Sequence, residues 1–375
     1  MFHRMNIVTF IITLLTTFPI IVVAGPNEMT DSGSIQLKGK WLQDLDQDFV
    51  RDPQSSALVF HNDKLYSLSD ASAASHNIRR LHQIEPKTAQ VIAKIGPTVL
   101  SQNVRQGCFA PYLSGRPDYE ALVKDPSHPA RWITVTEDAR RSEPLTPECQ
   151  RKYAATNSTQ YPTLLVSWLL QGGELIVDAV RPVTFPSTAE LGDFPNDGVE
   201  GLAIDRAQNL YLAVEKDSQS RARIFKVNLS DDFWQRESFV EVNDAGLDLP
   251  TFSTGNHPIN ALTVVYPQSQ NTGYLLAAAR NTNQLWVIDL SQKQATKIIK
   301  LAFLAPSIGP ECTPYHLMNN ASIEGIALGS NEIYLINDPW KVNYQKNVNC
   351  EANALPYELY APLLFTLPIS DSFFN

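Results

Sequence analysis

The chain is expected to be all-β and folded as a β-propeller of five four-stranded blades, and three features lead there. Helical periodicity is scarce after residue 25. Short runs rich in Val, Ile, Leu, Tyr and Trp recur instead, split by Gly, Pro, Asn, Asp and Ser, which is the texture of strands and turns. Five of these segments align with one another, the mark of a repeat architecture.

At the N-terminus, "MFHRMNIVTFIITLLTTFPIIVVAGPNE" carries His3 and Arg4, an apolar stretch, and Val22 and Ala24 before Gly25. This order matches a secretory signal peptide over residues 1–24, leaving residues 25–375 as a single propeller domain. An uncleaved anchor is the alternative, because Ile7 to Ala24 approaches spanning length. No other run is long and apolar enough to span a membrane, so no stable span is expected once the leader is cleaved. The expected destination is outside the cell or the periplasm.

The five aligned segments are "SALVFHNDKLYSLSD" from Ser56, "EALVKDPSHPARWITVTED" from Glu120, "EGLAIDRAQNLYLAVEKD" from Glu200, "NALTVVYPQSQNTGYLLAAAR" from Asn260 and "EGIALGSNEIYLIND" from Glu324. Each reads as strand, polar turn, strand. Their starts lie 64, 80, 60 and 64 residues apart, which leaves room for two more strands per unit, as in a propeller blade. "RARIFKVNL" and "ESFVEV" would complete the third unit, and "QLWVIDL" and "TKIIKLAF" the fourth. The fifth has only "YELYAPLLFTLPI" after it. "SIQLKGKWL", before the first unit, is the natural outer strand of the last blade. It would close the ring and remove open sheet edges. Six blades, or a sandwich with a second domain, are the rival architectures.

The charge pattern excludes some partners. The formal net charge is −9, about −10 once Arg4 is lost, with no Lys/Arg-rich block, so nucleic acid is not an expected partner. Cys108, Cys149, Cys312 and Cys350 allow three pairings; spacing favours Cys108–Cys149 and Cys312–Cys350, and export makes disulfides the expected state. Asn157, Asn228 and Asn320 open Asn-x-Ser/Thr sequons.

The repeat also gathers acids. The start of a blade's first strand and the end of its second share one face of the ring. Glu120, Glu200, Asn260, Glu324 and Ser56 mark first-strand starts. Asp70, Glu137, Asp138, Glu215, Asp217 and Asp338 mark second-strand ends. Both sets should converge on one mouth of the central tunnel. Carboxylates so placed repel one another, and a hard divalent cation relieves this; Ca²⁺ takes carboxylates, an amide oxygen and waters in flexible geometry. Glu120, Glu200, Asn260 and Glu324 are the expected ligands. Glu215 and Asp338 are candidate catalytic bases, and Asp70, Glu137, His257 and Arg280 are candidate substrate contacts. The Gly or Ala after each first-strand acid suits a crowded axis. No His/Cys cluster points to zinc, and no Gly-x-Ser-x-Gly elbow points to a serine triad. The bland reading of the acids is structural: pairing with the basic residues that follow the second strands, Arg79, Arg80, Arg140, Arg141, Arg221, Arg223 and Lys341.

"DGVEGLAIDRAQNLYLAVEKD" and "SIEGIALGSNEIYLIND" resemble the Glu-Gly-(Leu/Ile) repeat of the phytase-like propeller family, the esterase-like domain of phytase. "NALTVVYPQSQNTGYLLAAARNTNQLWVIDL" is similar to a blade of the β-propeller phytases, with Asn260-Ala261 where the family has Glu-Gly. The resemblance spans the five repeats through short motifs. It implies an exported Ca²⁺-containing propeller that hydrolyses a small-molecule phosphoester or ester, with Glu200, Glu215 and Glu324 as metal-side acids. Asn260 and Ser56 replace acids, and no dense Lys/Arg set for a polyphosphate is present. A non-catalytic binding propeller is the alternative function.

Overall fold

The computed structural model describes residues 33–137, 145–153, 162–191, 198–236, 239–268, 270 and 272–375. The leader, Asp138, Arg140, Arg141 and the Asn157 sequon lie outside these residues. Hydrophobic strands with polar turns pair into five antiparallel blades. Blade 1 is Ser55–His61, Lys64–Ser69, Leu81–Glu85 and Gln90–Ile95. Blade 2 is Tyr119–Lys124, Arg131–Thr136, Leu164–Gln171 and Glu174–Thr184. Blade 3 is Val199–Ile204, Asn209–Val214, Arg223–Asn228 and Asn243–Asp244. Blade 4 is Ile259–Val265, Tyr274–Ala279, Gln284–Asp289 and Lys297–Pro306. Blade 5 is Ile323–Leu328, Glu332–Asn337 and Leu363–Pro368, completed by Lys40–Trp41 from the other end of the chain. Each first strand packs against the first strands of both neighbouring blades, so the five form a closed ring.

Closure takes the form expected from "SIQLKGKWL", with an addition. Lys40–Trp41 pairs antiparallel with Leu363–Leu364 of blade 5, while Ile35–Lys38 runs parallel to Leu301–Leu304 and adds a fifth strand to blade 4. The crossing is made at Gly39, where a Cβ would sit 2.7 Å from the Phe365 ring. Trp41 fixes the crossing: it is buried, its Nε1–H donates to the Pro306 carbonyl at 2.9 Å, and its ring meets Tyr357 edge-on at 5.1 Å. Blade 3 differs from expectation at its edge. Val240–Glu241, from "ESFVEV", pairs with Val183–Thr184 of blade 2, and Asn243–Asp244 is the fourth strand instead. Val240 is buried in the layer between blades 2 and 3, and burying that side chain draws the segment across.

The core is correspondingly divided. Five buried clusters each fill the space between one pair of neighbouring blades. Trp132, Trp168 and Trp286 are fully buried within them. The disulfides are Cys108–Cys149 and Cys312–Cys350. Each ties the segment leading into a blade to that blade's long connection between second and third strands, in blade 2 and blade 5 respectively.

Candidate functional site at the propeller mouth

One local irregularity, repeated five times, builds the site. In every blade the register between first and second strands slips by one residue, and the residues skipped are Ser56, Glu120, Glu200, Asn260 and Glu324. These are β-bulges, which re-aim a side chain out of the ladder. The small residue that follows is needed by the neighbouring blade. A Cβ on Gly325 would lie 2.8 Å from Leu58 Cβ and 2.9 Å from the Ala57 carbonyl carbon, and one on Gly201 3.1 Å from Leu262 N.

A second ring sits one residue beyond each second strand: Asp70, Glu137, Glu215, Arg280 and Asp338. In four blades the backbone N–H of this residue donates to a carbonyl two residues before the bulge, from Asp70 to Gln54, Glu137 to Asp118, Glu215 to Gly198 and Asp338 to Ser322. Thus the two rings carry seven carboxylates, and blade 4 breaks both, with Asn260 in one and Arg280 in the other. Below them Leu58, Leu122, Leu202, Leu262 and Ile326 close the bore. The axial space on the acid side of this layer is about 10 Å³, on the order of one water molecule, and on its other side the bore widens to about 180 Å³.

The carboxylates concentrate toward blades 2 and 3. Oxygens of Asp118, Glu120 and Glu137 lie within 4.8 Å of one another, and so do those of Glu137, Glu200 and Glu215. Asp118 was not among the expected residues; its signal was its place two residues before Glu120, which returns it to the same side of the strand. Glu137 is shared by both groups and also accepts from Gly198 N–H at 2.9 Å.

Arg280 answers part of this charge. Its guanidinium donates to Glu324 and, at 3.1 Å, to Glu215, and lies 5.7 Å from the centre of the Trp340 ring. Burial works against its charge, but Glu324, Glu200, Glu215 and Asp338 together raise its pKa further. Burial first, and neighbouring carboxylates second, push Glu120, Glu200 and Asp338 well above the usual range. The same causes raise Glu137 to about 8 and Asp70 to about 7, against the hydrogen bonds from Gly198 and Ser72 respectively. Glu324 is raised by burial and held back by Arg280. Asn260 is fully buried with neither amide atom hydrogen-bonded, and Asp338 Oδ1 is likewise without a partner.

Other expected residues lie elsewhere. Asp217 is held by Arg221 at 2.7 Å, with Arg223 at 3.4 Å, a structural pairing of the kind weighed for these basic residues. Lys341 pairs with Asp52 at 2.6 Å. His257 stacks on Phe252 at 3.6 Å, and its Nε2 contacts the Thr254 carbonyl at 3.0 Å. It lines a cavity formed with Arg221, Arg223 and the Leu247–Gly255 segment.

Three solved structures are similar to the chain at low identity and low TM-score. The chain is similar to the allergen Mala s 1 of Malassezia sympodialis, at 12% identity and TM-score 0.48, over 87% of this chain and 96% of that one. It is similar to an exo-β-1,3-galactanase of Clostridium thermocellum, at 12% and 0.44, over 89% and 62%. It is also similar to an exo-β-1,3-galactanase of Phanerochaete chrysosporium, at 12% and 0.41, over 90% and 64%. No family model and no curated protein matches the sequence. Among the described residues no helix is long and apolar enough to cross a membrane.

Proposed function

We propose that the mouth holds a hard divalent cation, Ca²⁺ before others, and that the chain is an exported hydrolase of a small-molecule phosphoester or ester, in line with its resemblance to phytase-like propellers. The observation that carries this reading is Glu137, whose carboxylate belongs to two separate groups of converging acids. The donor set fits the ion: carboxylates and an unpartnered buried amide, with oxygen ligands only. Glu137, Glu200 and Glu215 would hold it, with Asp118 and Glu120 converging on Glu137 from the other side and Asn260 at the margin. Glu324 is drawn to Arg280 instead.

When bound, the ion would supply Lewis-acid polarisation of a phosphoryl or carbonyl oxygen. The protein's own part follows from the contacts. Arg280 holds Glu215 and Glu324 in place through charge-assisted hydrogen bonds. Asp338, whose Oδ1 has no hydrogen-bond partner, is the candidate base for taking a proton from water once it is ionised. The apolar layer of Leu58, Leu122, Leu202, Leu262 and Ile326 confines the chemistry to one face.

A second reading, a binding propeller without catalysis, is favoured by Arg280 itself, because its guanidinium fills one side of the mouth. Thermal melting with Ca²⁺ against chelator, followed by turnover of p-nitrophenyl phosphate and p-nitrophenyl acetate, separates the two. A Ca²⁺ shift with turnover lost in Glu200→Gln supports the hydrolase. A shift without turnover leaves the binding propeller, and no shift removes the ion.

A further inference from the structure

Blade 1 carries, on the same face, the opposite charge without its complement. Its second-to-third-strand turn is held by Asn77, which is fully buried. Asn77 Nδ2 donates to the carbonyls of Arg51 at 2.9 Å and Asp52 at 3.1 Å. Its Oδ1 accepts from Lys94 Nζ at 3.2 Å and lies 3.2 Å from His82 Nε2. Asn77 thus holds the Lys94 ammonium beside the Arg51 backbone, and Arg80 and His76 lie near enough for their charges to act on one another and on Lys94. Arg80 adds a bond to the Gly96 carbonyl. Next in the chain, Arg79 lines with Arg105 a groove against the helices Gln102–Arg105 and Ala110–Ser114.

In a chain with nine more acids than bases, none of Arg51, Arg79, Arg80, Lys94 and Arg105 pairs with a carboxylate among the described residues. The two acids whose field reaches the cluster are engaged elsewhere. Asp52 is paired with Lys341 at 2.6 Å. Asp44 accepts from the amides of Asp46 and Asp48 at 3.0 and 3.1 Å. The repulsion is only partly relieved: burial lowers the Lys94 ammonium and Arg80 lowers it further, with Asp44 opposing. Burial, then Lys94, His76 and Arg80, bring His82 beneath them down to about 3.

We propose that this cluster is an anion site, in which Arg80 and Lys94, with His76 and Arg51 beside them, receive a doubly charged tetrahedral oxyanion, a phosphate or sulfate group. Guanidinium and ammonium donors from separate strands suit an acceptor with oxygens in several directions. The site is independent of the axial cation and stands or falls separately from it.

The test is calorimetric titration of the Ca²⁺-free protein with inorganic phosphate, sulfate and phenyl phosphate, against chloride at matched ionic strength. Phosphate and sulfate should bind where chloride does not. Arg80→Gln/Lys94→Gln should weaken them at least about tenfold, as loss of charge-assisted bonds does. Lys94→Arg should retain most of the affinity, and Lys226→Gln, an exposed position on blade 3, should leave it unchanged. Phenyl phosphate binding as well as inorganic phosphate would mark a group carried on a larger molecule; binding of the inorganic ion alone would mark a free anion. Equal effects of chloride and phosphate, or undiminished affinity in the double variant, would overturn the site. Should the double variant not fold, acetylation of Lys94 in the wild-type protein decides, with no protection by phosphate counting against the proposal.

Discussion

Raising the pH in the presence of chelator should destabilise this protein across the range where most proteins are comfortable. The groups responsible are Glu137, raised from 4.5 to about 8, and Asp70, raised from 3.8 to about 7. A carboxyl whose pKa is higher folded than unfolded binds its proton more tightly in the folded state. Its stabilising contribution is present at low pH and is lost as pH rises through the folded value. Ionising Glu137 at pH 8.5 therefore costs on the order of 5 kcal/mol relative to pH 4.5. Asp70 costs on the order of 4 kcal/mol by the same reckoning. Both respond to Asp118, so the costs overlap, and a net loss of about 5 kcal/mol is the working figure. That is a large share of the 5–15 kcal/mol that typically holds a domain together, roughly its lower bound. The assay is urea denaturation with chelator from about pH 5 to about pH 8.5. Stability should fall steadily, and saturating Ca²⁺ should flatten the curve by occupying the ionised form. A chelated protein equally stable at both ends would refute the reasoning. Below about pH 4 the slope should reverse, since Asp244 and Asp289, lowered despite burial by hydrogen bonds from Arg223 and Ser291, lose their contribution as they protonate.

Three substitutions probe the scaffold. Arg280→Gln leaves Glu215 and Glu324 buried without their counter-ion and should cost about 3–5 kcal/mol at alkaline pH, and less near pH 5 where they can protonate; equal losses at both pH values in denaturant titrations would contradict the pairing. Gly325→Ala places a methyl 2.4 Å from Ile336 Cγ2 and against the Leu58 and Ala57 atoms of the next blade; the expected loss is about 1–3 kcal/mol, read as a lower urea midpoint, and a neutral result would mean that blade 5 can shift freely. Trp41→Ala removes the side chain that anchors the closing segment and should cost about 3–5 kcal/mol, with faster exchange of the Leu363 and Leu364 amides; unchanged exchange would show that the N-terminal strand does not hold the ring.

The fold was largely legible because its signal is local and repeated. Each strand-turn-strand copy can be read without knowing the others, and the Cys spacings named the pairs that form. What could not be read depends on contacts between distant segments. Ile35–Lys38 joins blade 4 through a parallel pairing with Leu301–Leu304, which no turn announces. Val240 crosses to blade 2 because of what it buries there. At the site, the equivalence of Ser56, Glu120, Glu200, Asn260 and Glu324 was visible from alignment, but the bulge that aims them was not, since a slipped register has no residue of its own. Arg280 was foreseen as a contact for substrate. Its place in the second ring makes it the counter-ion of Glu215 and Glu324, a role that only the register of Ile259 opposite Ala279 reveals. His257 could be aligned near the mouth, yet its ring is taken up by Phe252 and the Thr254 carbonyl.

The most direct measurement is calorimetric titration of Ca²⁺ into the chelator-treated protein near pH 7, in two buffers of different ionisation enthalpy, so that protons are counted along with metal. One tightly held ion per chain is expected, with a net release of protons from the crowded carboxyls, both abolished in Glu137→Gln/Glu200→Gln. No binding, or binding with no proton exchanged, would contradict the cation site.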